Sequence, residues 1–158
     1  MLEALEASQY SVWMRNELWG WPLVLTLHAF GTALVVGFML IISLRLVGLF
    51  ETIPYATLRR LFAVVWIGVA LQVLTGLALW ITKPTEYVAD IAFMLKVALV
   101  LAGIVLTFAF QAMVRREADS WQAAGAASSA AKLVAATLLV WCGALVAGRL
   151  TAHLGSFS

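Results

Sequence analysis

Four long apolar runs limit what this chain can fold into. The first, 18–44, has no ionisable side chain but His28, and Arg45 closes it. The second, 61–81, has no charged residue, and the third, 91–114, is interrupted by Lys96 alone. The fourth span, 131–154, begins with Lys132 at the end of the preceding link and holds Arg149 and His153 in its last turns. A helix of about 20 residues crosses a hydrocarbon core about 30 Å thick, and each run meets that length. Lipid offers backbone groups no partner, so each run must satisfy its own N–H and C=O groups as a helix. The expected fold is all-α: an antiparallel bundle of four transmembrane helices, a single membrane domain over 1–158.

Composition excludes the alternatives. Apolar residues make up 64% of the chain and charged ones 11%, against about 45–50% and about 25% in soluble domains. A net charge of +2 without a basic, aromatic-interleaved patch argues against nucleic acid as a partner. The lone Cys142 rules out a disulfide framework and a CxxC metal pair. The first residues, Met1 to Glu6, are acidic where a cleavable signal is basic, so the first span is expected to stay as an anchor. Between Glu3 and Glu17 a short interfacial helix is expected, with Tyr10, Trp13 and Met14 on its apolar side.

Pro22 falls in the first turn of span one, where its missing N–H costs nothing. Pro54 and Pro84 fall in the first two links, and the third link covers 116–132. Lys and Arg fix the expected orientation. Arg45, Arg59, Arg60, Arg115, Arg116 and Lys132 lie on one side, and Arg15, Lys83 and Lys96 on the other. Both termini are therefore expected outside, in the periplasm of a bacterial inner membrane. Trp13, Trp19, Trp21, Trp80 and Tyr87 collect on that outer side.

Ionisable residues at membrane depth are costly and mark candidate sites. His28 reads either as a haem or metal ligand, one ring nitrogen on the metal and the other held, or as a packed histidine bonded to a neighbouring helix. His153 is its candidate partner. At about 1.5 Å per residue, His28 lies about 26 Å from Arg45 and His153 about 32 Å from Lys132. The two histidines then differ in depth by about 6 Å. The other reading of His153 is a solvated interfacial side chain. Arg149, one turn earlier, would hold a haem propionate or a quinone substituent, or else snorkel to headgroups. Gly31 leaves room for a neighbouring helix or a flat cofactor. Gly68, Gln72, Thr75 and Gly76 on span two, and Gly103, Thr107 and Gln111 on span three, form polar stripes that suit helix packing. Lys96 is expected to reach the outer interface, where Glu86 or Asp90 would neutralise it.

The strings Trp21-Pro22-Leu23, Leu27-His28-Ala29-Phe30-Gly31, Leu44-Arg45-Leu46-Val47-Gly48 and Gly148-Arg149-Leu150-Thr151-Ala152-His153 carry a resemblance. With Thr75-Gly76, Tyr87, Phe93, Lys96 and Trp141, they resemble a bacterial family of four-helix membrane proteins that is largely a domain of unknown function. More distantly, the chain is similar to copper-resistance D-type membrane proteins and four-helix b-type cytochromes. The cytochrome resemblance implies haem held by histidines. With none on spans two and three, it implies a single haem b at the outer end, held by His28 with His153 as the candidate second ligand.

The expected function is electron transfer between a quinone and a partner membrane or periplasmic redox protein. The alternatives are a subunit that anchors a larger complex, with a homodimer as one such assembly, and a copper-handling accessory protein.

Overall fold

The computed structural model describes residues 1–124, 126 and 128–154, leaving aside the side chains of 123, 124, 128 and 152–154. It contains α1 (Leu2–Glu6), α2 (Gln9–Asn16), α3 (Gly20–Leu46), α4 (Tyr55–Trp80), α5 (Pro84–Ala89), α6 (Ile91–Ala124) and α7 (Ser128–Leu154). Helices α3, α4, α6 and α7 are each long and apolar enough to span a bilayer. The chain is an all-α, multi-pass membrane protein.

The spans pack as a ring in which α3 borders α4 and α7, and α6 borders α4 and α7. Consecutive spans run antiparallel, as short links between neighbours require. Most apolar side chains on the ring's outside are exposed, including Leu25, Phe30, Leu74, Leu101 and Leu139. Lipid is their partner. Inside, Val35, Met39, Phe62, Val65, Phe110, Val114 and Trp141 form an apolar core. Phe62 and Phe110 meet edge to face across α4 and α6, ring centres 5.5 Å apart.

Two span boundaries differ from the sequence reading. Helix α4 begins at Tyr55, six residues before the apolar run, because Pro54 is its N-cap and the Tyr55 ring packs edge-on against Trp121. Helix α6 continues ten residues past Val114. Ala118 and Trp121 are buried on the bundle side of this extension, and Arg59 reaches Asp119 at 2.8 Å. The expected long third link is thus largely helix.

One end of the bundle is covered by the short helices. The interfacial segment forms two helices rather than one, broken at Ala7 and Ser8. The Ser8 hydroxyl accepts from the Ser11 N–H at 3.2 Å and caps α2. Ser11 Oγ and Arg15 both donate to the Thr82 carbonyl, at 3.0 and 2.9 Å, and so tie α2 to the end of α4. Met14 is fully buried, while Tyr10 and Trp13 face outward. Helix α1 packs on α5, and Thr85 donates to Glu6 at 2.6 Å. This is the capped end of the bundle.

The α6 stripe supplies acceptors for indole N–H groups. Trp141 donates to Thr107 at 3.1 Å and Trp66 to Gln111 at 3.0 Å. Replacing Thr107 with Val should leave the buried Trp141 N–H without an acceptor. A cost of about 1 kcal/mol is expected, the scale of hydrogen bonds between membrane helices. Thermal unfolding in detergent measures it, and an unchanged midpoint would contradict it.

Candidate functional site

Polar side chains from three helices meet at the capped end, just beyond the apolar core. His28 stands on α3, Gln72 and Thr75 on α4, and Lys96 on α6. The hydroxyl of Thr75 donates to the Leu71 carbonyl at 2.6 Å, which uses its only proton. Its lone pair faces His28 Nδ1 at 2.9 Å, so Nδ1 carries the ring proton and donates it to Thr75. His28 Nε2 is then the acceptor. It receives the Gln72 amide at 2.9 Å and the Lys96 ammonium at 3.4 Å. Thr32, one turn after His28, donates to the Gln72 carbonyl oxygen at 2.9 Å and fixes that amide in turn.

Small residues create the space. A Cβ on Gly76 would stand 3.3 Å from His28 Cε1, so glycine lets the ring lie against α4. A Cβ on Gly148 would stand 3.3 Å from Lys96 Cδ and Cε, so the lysine stem runs along α7 there. Lys96 thus crosses the bundle to reach His28 on the diagonally opposite helix.

The expected neutralisation of Lys96 by Glu86 or Asp90 does not occur. Lys83 pairs with Glu86 at 2.9 Å, and Asp90 Oδ1 accepts from the Ala92 N–H at 2.8 Å. Both carboxylates are engaged locally, at the helix starts they flank. Among the described residues no carboxylate lies within 4.0 Å of Lys96.

Of the other expected site residues, Gly31 is filled by α4. A Cβ there would stand 3.0 Å from the Gln72 backbone nitrogen and 3.1 Å from the Gly68 carbonyl oxygen. Arg149 is exposed, next to Gly148 but without a polar partner among the described residues. His153 stands in the last turn of α7, and its side chain lies outside the described residues. Gly148, at the level of Lys96, precedes His153 by about 7.5 Å of helix rise. Cys142 is exposed.

A haem or metal on His28 needs a free lone pair on one ring nitrogen, with the metal about 2.0–2.1 Å away. In this arrangement the Nε2 lone pair is taken by Gln72 and Lys96, and Nδ1 by Thr75. The residues present do not fit an axial ligand while these contacts stand. Among the described residues there is also no cluster of three metal-ligating side chains.

No family model, curated protein or solved structure matches this chain. Its function rests on its own geometry.

Tyr87 borders the capped end, its ring 5.0 Å from that of Phe93. Burial first, then the Glu86 and Asp90 carboxylates, hold its phenol above the usual value of 10. An ultraviolet titration compared with Tyr87→Phe should therefore show its phenolate forming only above pH 10. A step at or below that pH would contradict this environment.

Sequence reasoning singled out His28 and Lys96 but did not join them, and it treated Gln72 and Thr75 as packing residues. The missed signal was their spacing. Gln72 and Thr75 are three apart on one helix face, which lets both sides of one imidazole be held from a single helix.

Proposed function

We propose that the chain is a membrane-embedded redox subunit that holds a quinone headgroup at the capped end of its bundle. One observation carries the reading. The Lys96 ammonium has one acceptor among the described side chains, His28 Nε2 at 3.4 Å, and no carboxylate partner. A lysine at membrane depth costs about 2.5–3.5 kcal/mol on insertion scales, so an incomplete partner set points to a ligand. A quinone carbonyl is a membrane-soluble acceptor of matching chemistry.

When bound, a quinone supplies a two-electron, two-proton couple. The side chains' part is to bind it, orient it and hold protons. Lys96 Nζ directs an N–H at the carbonyl. His28 Nε2, left without a proton by the Nδ1–Thr75 bond and placed by Gln72, is a proton-accepting atom beside it. Electrons would leave to a partner redox protein or a second copy of the chain. A second reading, a non-catalytic subunit of a larger membrane complex, is favoured by one fact. The His28 contacts also clamp α3, α4 and α6 together.

The test is a titration of a short-chain benzoquinone into the protein in lipid nanodiscs, followed by tryptophan quenching. Saturable binding is expected for the unaltered protein. Visible spectra before and after dithionite belong to the same experiment. A reduced b-type band lost in His28→Ala would replace the quinone reading with haem on His28. A colourless protein with no saturable quenching would leave the subunit role.

A further inference from the structure

At the end of the bundle opposite the cap, a cavity of about 530 Å³ opens between the end of α3, the link 47–54, the start of α4 and the end of α6. Arg45, Glu51, Tyr55, Trp121 and Gln122 are among the residues that line it. Arg45 was expected to mark the membrane surface, yet it is only 5% exposed. Its guanidinium lies 3.9 Å above the centre of the Tyr55 ring, and its Nε donates to the Ile53 carbonyl. The two terminal nitrogens have no bonded acceptor, and no carboxylate lies within 4.0 Å, among the described residues. Gln122 is turned elsewhere, its carbonyl oxygen accepting from the Tyr55 N–H at 3.1 Å.

Arg45 is buried as a residue while its unused terminal nitrogens stay open to the cavity, and such a fork takes an oxyanion through two parallel N–H bonds. The surroundings point to lipid as its source. Val47, Leu49 and Phe50 form an apolar tip beside the cavity, 64%, 53% and 54% exposed. Gly48 and Phe50 hold this turn in left-handed conformations, φ 91° and 56°. For phenylalanine that conformation costs about 1–2 kcal/mol, so the tip is held outward at a cost. Acyl chains would cover such a tip, and the phosphate of the same lipid would reach Arg45. We infer that this cavity binds the phosphodiester headgroup of an anionic phospholipid, held by the Arg45 guanidinium. The site is separate from the His28 cluster and does not depend on its reading.

The experiment adds phosphatidylglycerol to delipidated protein in detergent, with native mass spectrometry and melting temperature as readouts. One or more tightly held lipids and a raised melting temperature are expected for the unaltered protein. Arg45→Lys keeps the charge but loses the fork, and should weaken lipid binding about ten-fold. Arg45→Gln should abolish it. Should that variant fail to fold, Arg45→Lys and Glu51→Gln carry the test. Glu51→Gln removes a carboxylate from the cavity and should strengthen binding, whereas Arg60→Gln, an exposed cation at the same end, should leave it unchanged. Unchanged affinity in both Arg45→Lys and Glu51→Gln, or weaker binding in Glu51→Gln, would overturn the proposal. So would an equal effect of inorganic phosphate alone.

Discussion

Gly68→Ala is expected to lower the stability of the bundle by about 1–3 kcal/mol, the usual cost of forcing a group into a packed interior. A Cβ at this position would stand 2.9 Å from Leu34 Cβ and 3.0 Å from both the Gly31 carbonyl oxygen and Val35 Cγ2. Neither a backbone oxygen nor a Cβ can move aside by a rotamer change, so α3 and α4 must part. The reciprocal contact makes Gly31→Ala equivalent in direction. Parting the helices also draws Gln72 and Thr75 away from His28, so ligand binding should fall with stability. Gly37→Ala is the control, since a Cβ there meets nothing within 4 Å. Thermal unfolding in detergent compares the three variants. Equal midpoints for Gly68→Ala and Gly37→Ala would show that the close approach is absent.

Lys96→Met is expected to weaken quinone binding about 10- to 100-fold while leaving the fold intact. The methionine retains the unbranched stem that lies along Gly148 but brings no N–H. Hydrogen bonds to charged groups contribute about 1.5–3 kcal/mol, which converts to that range of affinity. Gln72 still donates to His28 Nε2 at 2.9 Å in this variant, so the imidazole keeps its position. Lys96→Arg keeps the charge and should recover part of the affinity. Equal affinity in Lys96→Met and the unaltered protein would remove Lys96 from the site.

The four spans were legible because lipid imposes one rule on every residue within them, and a run of apolar side chains records that rule directly. Their ends were less legible. Trp121 and Ala118 lie among charged residues, and only the tertiary contact with Tyr55 shows why α6 continues through them. Arg45 reads as a surface charge until the Tyr55 ring, ten residues later, is seen to cover it. At the capped end, single-helix periodicity exposed the stripe of Gly68, Gln72, Thr75 and Gly76, but not which residue faces it. That depends on the depth at which α3 crosses α4, set by the Gly31–Gly68 approach. Lys96 illustrates the same limit. Its nearest carboxylates in sequence, Glu86 and Asp90, are taken by Lys83 and by a helix start, so the ammonium turns inward to His28.

In the proposed site a neutral His28 holds Lys96 ready for a quinone carbonyl. The most direct measurement is the nitrogen-15 spectrum of the His28 ring and Lys96 side chain in lipid, recorded on His153→Gln protein so that His28 is the only histidine. The expected spectrum has the proton on Nδ1 and an accepting Nε2. Added short-chain benzoquinone should shift Nε2 and the Lys96 ammonium while leaving Nδ1 in place. A proton on Nε2, or a spectrum indifferent to the quinone, would contradict the account.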